Sequence, residues 1–206
     1  MTIAPLTSAA EAPTSLRVVH DERDIDVRSA QAAVAQLLRA LGLDPTSEQL
    51  RDTPRRVAAA YAELLTPQSF SLTTFPNDEQ YDELVLARDI SFVSVCEHHL
   101  LPFRGVVHVG YVPAERIVGL SKLARVVDFF ARRLQLQERL TTQIAQCLAD
   151  QLRPRGVGVV AVAEHACMSQ RGARAFGSTT VTSALHGLLR DDARSRAEFI
   201  ALTRTD

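Results

Sequence analysis

Two stretches of this 206-residue chain hold residues whose types and spacing suit chemistry: Ser94-Val95-Cys96-Glu97-His98-His99-Leu100-Leu101-Pro102-Phe103 and, far downstream, Glu164-His165-Ala166-Cys167-Met168. Cys96 and His99 form a C-x-x-H pair, a separation at which one tight turn points a thiolate and an imidazole nitrogen at the same ion. Zn²⁺ takes such borderline-soft ligands, with Zn–S near ~2.3 Å and Zn–N near ~2.0 Å. Structural zinc is normally closed by four protein ligands, whereas catalytic zinc keeps three and leaves the fourth position to water. The chain has three cysteines, Cys96, Cys147 and Cys167, and no second C-x-x-C or C-x-x-H pair to complete a finger. This favours an open site of Cys96, His99 and a third ligand. Cys167 suits that place because it follows an apolar run and stands two residues after His165. Cys147 falls in helical phase with Leu140, Ile144 and Leu148 and reads as a small core hydrophobe. A second chemistry stays open on the same residues, since a thiolate beside imidazole is also how cysteine nucleophiles work.

The elements that must position these groups belong to an ordinary globular chain. With 46% hydrophobic and 23% charged residues it is long enough for one domain with a sizeable core. A net charge of −1 offers no bulk attraction to nucleic acid or to anionic membrane. No run is apolar for long enough to span a bilayer, and the first residues lack a basic-then-apolar signal pattern. Three unpatterned cysteines suit a reducing compartment, so the expected location is the cytoplasm. Residues 1–27, rich in Ala, Ser, Thr and Pro and then charged from His20 to Asp24, are expected to form a mobile arm whose Val18-Val19 pair could pack on a neighbour.

From Val27 to Leu43 apolar residues recur at helical spacing, and Gly42 supplies a stop. Thr53 then reads as an N-cap and Pro54 as the first residue of a second helix. The pair is expected to be an N-terminal hairpin over 28–67, ended by Thr66-Pro67. Gln68–Tyr81 reads as loop, with a turn at Pro76-Asn77-Asp78. Leu84–Val95 alternates imperfectly and suits a strand delivering Cys96 at its end. Gly105–Val112 returns antiparallel, with His108 a structural side chain in mid-strand. Gly119-Leu120-Ser121-Lys122 opens a long helix. Ser121 there is either an N-cap or, with Lys122 and Arg125, part of an anion site at the helix start. Gln135–Leu140 breaks and restarts the helix, placing Gln137 and Glu138 at its head. Gly156–Ala163 is a buried-strand run leading to His165 and Cys167, Thr179–Ser183 its hairpin partner, and Arg171 and Arg174 a basic loop between them. A short helix bearing Phe199 closes the chain. Helices, two strands, two helices, two strands and a helix make an α+β domain with an antiparallel sheet.

Four long blocks in this order, CEHHLLPF, GLSKLARVVDFFARRLQLQERLT, EHACMSQRG and TVTSALHGLLR, resemble the successive signature blocks of GTP cyclohydrolase I, the first enzyme of folate and biopterin synthesis. The likeness runs from Asp52-Thr53-Pro54-Arg55-Arg56-Val57 to Phe199. It implies a tunnelling fold over 28–206, its catalytic part at 68–206, with helices on one face of the sheet. It further implies sheets joined into a barrel within a ring-shaped homo-oligomer, usually a decamer of two pentamers, with sites between subunits.

The same resemblance implies Zn²⁺ on Cys96, His99 and Cys167, and GTP as substrate. Water activated by the metal attacks C8 of the guanine ring, formate leaves, and rearrangement gives 7,8-dihydroneopterin triphosphate. His98, His165 and Ser121 are the implied proton-transfer groups. Glu138, with Gln137 beside it, would read the base, and Lys122, Arg125 and Arg171, with Arg56 from another subunit, would hold the triphosphate. Ala59 and Ala60 depart from the family pattern where many members carry a lysine, which places one triphosphate contact in question; Ser169-Gln170 is also more polar than usual. Three alternatives share the fold: a cysteine-nucleophile enzyme like the nitrile reductase of queuosine synthesis, a silent purine- or pterin-binding paralogue, and a cyclohydrolase of a deazapurine pathway.

Overall fold

The computed structural model describes residues 24–204 and the backbone of one short strand before them, β1 (Ser15–Arg17). The rest of the expected arm up to Arg23, Val18-Val19 included, lies outside the described residues. Helix α1 (Val27–Ala40) begins where the Asp26 carboxylate accepts from the Ser29 amide at 2.9 Å. It stops at Gly42, whose φ of 80° no continuing helix allows. Helix α2 (Thr53–Leu64) packs beside it. The N-cap of α2 is Asp52, one residue earlier than the sequence suggests. The preceding turn, with Thr53 N–H donating to the Leu50 carbonyl at 2.9 Å, runs straight into the helix and draws Thr53 inside it. Pro54, lacking an N–H, fits the first turn at no hydrogen-bonding cost. The α1 stripe is only half used: α1 has no buried residue, and Leu37 and Leu41 are 56% and 66% exposed.

The segment read as loop contains a strand, β2 (Ser71–Pro76), which pairs antiparallel with β1 and, on its other side, with Arg116–Val118. Its own composition hides it. Leu72 and Thr74 are fully buried, and the Arg116 guanidinium donates to the Thr74 hydroxyl at 2.8 Å and carbonyl at 3.2 Å. Those partners, distant in sequence, supply the strand environment that local propensity does not.

The principal sheet is built on β3 (Val85–Cys96) and β4 (Pro102–Val112), joined through a tight turn. The alternation of β3 is imperfect because of a bulge. Between Ala87, which pairs with Val109, and Ile90, which pairs with Val107, β3 carries one residue more than its partner. Asp89 takes a φ of 56° there, and its N–H donates to Nδ1 of the buried His108 at 3.3 Å. Upstream of the bulge the odd-numbered Val85 and Ala87 face the main core; downstream the even-numbered Ile90, Phe92 and Cys96 do.

After β5 (Arg116–Val118), α3 (Leu120–Ala131) leads to the two-residue β6 (Leu134–Gln135), which joins β3 in parallel at Val95 and Cys96. Then come α4 (Gln137–Leu152), β7 (Gly156–His165), the short α5 (Ala166–Ser169) and β8 (Thr180–Gly187). The sheet order is β6-β3-β4-β7-β8, antiparallel except for β6, so the expected four strands gain a fifth at one edge. Leu123, Val126 and Val127 of α3 and Leu140, Ile144 and Leu148 of α4 close the main core against Phe103, Val107, Val157 and Val159. Cys147 lies against this core, as its phase suggests, and burial pushes its thiol up to about 11.

The chain ends with α6 (Leu188–Asp191) and α7 (Ala193–Thr203), the latter capped by Asp192 accepting from the Ser195 amide at 2.7 Å. These helices do not share the face of α3 and α4. Phe199, fully buried, lies on the opposite face with Val112, Val160 and Leu189. It seats over Gly110 and Gly158, which are paired across β4 and β7 and leave room for the ring because neither has a side chain. The expectation of helices on a single face is corrected accordingly: one end of the second face has its own cover.

Candidate metal centre

The turn after β3 is short and well tied. The Cys96 N–H donates to the Leu101 carbonyl at 2.8 Å, the Leu100 N–H to the Cys96 carbonyl at 2.9 Å, and Leu100 takes a φ of 55°. His99 is thereby turned back onto Cys96, with Nδ1 3.7 Å from Sγ. Ten residue pairs of β4 and β7 lie in register, from Phe103 opposite His165 to Val112 opposite Gly156, and this pairing carries Cys167 to the same end of the sheet. The ligand atoms of Cys96, His99 and Cys167 all lie within 4.8 Å of one another.

That cluster suits zinc. A tetrahedral ion with Zn–S ~2.3 Å and Zn–N ~2.0 Å sets sulfur and nitrogen about 3.5 Å apart, close to the observed Cys96–His99 separation. Cys96 is buried, Cys167 half-buried and His99 exposed, so one side of the trio faces outward. Burial, then the neighbouring Cys96, push the Cys167 thiol up. Among the described residues no fourth cysteine, histidine or carboxylate joins the group.

Beside the trio stands His165. Its ring stacks on Phe103, centroids 4.5 Å apart and planes 3° from parallel, and its Nε2 lies 2.7 Å from Oε1 of Gln137. Burial holds its pKa below the usual histidine range, partly offset by the charge of Glu138. Gln137 is buried, and its amide nitrogen donates to the carbonyls of Ala161 at 3.1 Å and Thr180 at 2.9 Å. Glu138, next along, is exposed. His98 is exposed too, its ring 6.2 Å from that of His99.

Residues to which sequence reasoning assigned no role at the site hold the turn in place. Glu97 forms an ion pair with Arg139, whose Nε donates to Oε1 of Gln135 at 3.1 Å. The buried Gln135 amide in turn donates to the Phe130 carbonyl and to Gln143, and its backbone carbonyl accepts from Glu97 N–H at 3.0 Å. From the other side the Tyr61 hydroxyl donates to the Leu100 carbonyl. Arg139 and Gln135 flank the Gln137-Glu138 pair, the one sequence signal that could have found them.

Of the remaining anticipated residues, Arg171 lies near enough to Cys167 for its charge to favour the thiolate there, while Ser121, Lys122 and Arg125 sit in the first half of α3. Helix α3 begins by β5, where Val118 N–H donates to the Tyr111 hydroxyl at 3.2 Å, and ends at β6 beside Cys96. At 1.5 Å per residue, Ser121 and Lys122 stand about 15 Å and about 13 Å along the helix from that end. Gly119, not Ser121, occupies the N-cap, and Ser121 and Arg125 are exposed. Arg171 is exposed in the loop after α5, and Arg56 is exposed on α2 with Asp52 3.5 Å away.

Comparison with known proteins places this arrangement in context. The family described as GTP cyclohydrolase I matches residues 30–204. A protein of Streptomyces griseus named GTP cyclohydrolase 1 is 56% identical over 184 residues, covering 86% of this chain and 90% of that one. Its namesake in Mycobacteroides abscessus is 53% identical, covering 86% and 89%, and that in a Synechococcus strain 51%, covering 88% and 81%.

Proposed function

The chain belongs to the GTP cyclohydrolase I family, and on that premise we propose that it opens the imidazole ring of GTP, releases C8 as formate and closes the product to 7,8-dihydroneopterin triphosphate. The observation that carries the reading is the convergence of Cys96, His99 and Cys167 at one end of the sheet, with His165 beside them. Zn²⁺ held by these three would supply a Lewis acid that lowers the pKa of water toward ~7.

The chain's own residues do the rest. A histidine that gives up and regains protons near neutrality suits protonation of the imidazole nitrogen as water adds at C8 and the two C8–N bonds break. His165, held flat against Phe103, takes that role, and His98 on the outer side of the turn takes a second proton. Exposed Glu138 accepts from the ring N–H and amino group of guanine, a pairing its charge strengthens. Lys122 and Arg125 at the head of α3, with Arg171, Ser121 and Arg56, receive the triphosphate and the ribose end.

The length of α3 supports a site shared between subunits. Lys122 stands about 13 Å along α3 from the end beside Cys96, and a neighbouring copy in a ring could present its own α3 to the ligand turn. We therefore carry over the family's homo-oligomer, a decamer, together with the division into a helical part at 28–67 and a catalytic part at 68–206. A cytoplasmic enzyme of pterin and tetrahydrofolate synthesis follows from the same reading, and no described helix is long and apolar enough to cross a membrane.

The test is anaerobic incubation of the zinc-loaded protein with GTP, following formate and pterin absorbance together, beside Cys96→Ser and Cys167→Ser. Formate and pterin rising in step from the wild type and from neither variant are the expected result. Stoichiometric zinc and an intact fold without formate would overturn the reading.

A further inference from the structure

Gln137 has a side chain with every polar group spoken for. Its amide nitrogen faces two carbonyls, of Ala161 on β7 and Thr180 on β8, and a carbonyl can only accept. The nitrogen and oxygen of the amide are thus assigned by their surroundings, and the oxygen is the atom 2.7 Å from Nε2 of His165. An amide oxygen can only accept, so the proton between them belongs to the imidazole. In the neutral ring that leaves Nδ1 bare, and Nδ1 has no hydrogen-bond partner among the described residues.

We infer that Gln137 is a positioning residue, which holds His165 as the Nε2–H tautomer and presents Nδ1 as the atom that exchanges protons with substrate. Two constraints act together on the ring. Phe103, stacked parallel on one face, fixes its plane, and Gln137 fixes its rotation within that plane. Without the second, the ring could flip about its Cβ–Cγ bond or shift its proton to Nδ1, and either change would turn the wrong nitrogen toward the reaction. Gln137 is itself anchored across β7 and β8, so the tautomer is set in part by β7, the strand that leads to Cys167. This inference deepens the reading of His165 as a proton carrier in GTP ring opening and rests on it. It also removes Gln137 from the groups that touch the base, because its donors and its acceptor are engaged inside the protein and its side chain is buried.

The experiment uses the zinc-loaded full chain with ¹⁵N-labelled histidine, the His165 signals being identified by their loss in His165→Gln. The wild type should show a protonated Nε2 and a bare Nδ1 in the neutral form. Gln137→Met, similar in length but without polar atoms, should lose that signature and lower kcat by about 100-fold, the scale of one acid–base group, with KM for GTP within about twofold. Gln137→Glu, which restores an acceptor to Nε2, should recover the Nε2–H signature and part of kcat. A wild-type spectrum with the proton on Nδ1 would overturn the proposal even if no variant folds. So would a Gln137→Met protein that keeps the tautomer and kcat but binds GTP more weakly, since that is how a base-reading glutamine behaves. Should the wild type release no formate from GTP, the functional reading falls by itself, while the spectrum still decides what Gln137 does to His165.

Discussion

The Tyr61 hydroxyl donates to the Leu100 carbonyl at 2.6 Å, and this bond joins helix α2 to the turn that carries His98 and His99. Leu100 sits at a φ of 55°, a left-handed conformation uncommon for a side chain of its kind. Its carbonyl is turned outward to a partner far away in sequence. The N-terminal hairpin is thus a support for the ligand turn as well as a neighbour of it.

Removing that bond should loosen the turn without unfolding the sheet. Tyr61→Phe keeps the ring and loses one hydrogen bond, about 1 kcal/mol, so zinc should be held roughly fivefold more weakly. Competition with a chromophoric chelator measures this directly. An unchanged zinc affinity would show that the turn is rigid without its strap.

The seat of Phe199 is a second sharp test. A methyl added at Gly158 would lie 2.6 Å from the Phe199 ring, closer than any real contact, and the ring is boxed in by Val112, Val160 and Leu189. Gly158→Ala should cost about 1–3 kcal/mol by overpacking. Phe199→Ala, which empties the seat, should cost about 3–5 kcal/mol. Denaturant titration of each, followed by far-ultraviolet circular dichroism, gives both values. Zinc binding should survive in the folded fraction, because the seat lies at the sheet end away from Cys96.

Stability should also depend on pH through His108. Burial pulls its pKa below the ordinary 6.5, Asp89 draws it partly back and Arg88 adds to the lowering. As pH falls through about 6.5 the unfolded chain takes up a proton that the folded chain still refuses, so the unfolded state binds more protons and stability drops. Above that pH the contribution is fully present. His165, lowered for the same first reason, acts in the same direction. Melting temperatures from about pH 7.5 to 5 should fall more steeply for wild type than for His108→Gln; parallel curves would contradict the assignment.

The proposed sharing of sites between subunits makes a prediction that no single variant can. Lys122→Glu should lose the triphosphate contact and Cys96→Ser the metal, each leaving the oligomer inactive. Subunits of the two variants, unfolded together and reassembled, should regain part of the wild-type rate. Hybrid sites then combine the intact α3 of one chain with the intact ligand turn of another. A mixture as inactive as its components would place both halves of each site on one chain.

The ligand trio and the main strands were legible because the chemistry is local or the pattern strong: Cys96 and His99 share one turn, and Gly156–Ala163 is a continuous apolar run. Strand β2 was not, because it is a strand through its pairing with β1 and Arg116–Val118, and Leu72 is buried in the main core, partners remote from it in sequence. Thr53 was misplaced by one residue since the turn ahead of it is itself helical in its hydrogen bonding. Phe199 could be seen as apolar, but its place on the second face depends on Gly110 and Gly158 meeting across two strands, a register no local pattern records. Gln137 could be placed at a helix head, while the two carbonyls that fix its amide come from β7 and β8.

The extra residue at Asp89 turns the geometry of the metal trio into a matter of parity. Downstream of it Ile90, Phe92 and Cys96 face the core only because β3 counts one more residue than β4 across that short stretch. Deleting Asp89 alone touches no ligand and leaves every motif intact to the eye. Yet it would exchange inside for outside along the rest of the strand, aiming Val93 and Val95 inward and Cys96 away from Cys167. A genome carrying that one missing codon would still encode every signature block of the family, in order, and a protein unable to gather its three ligands.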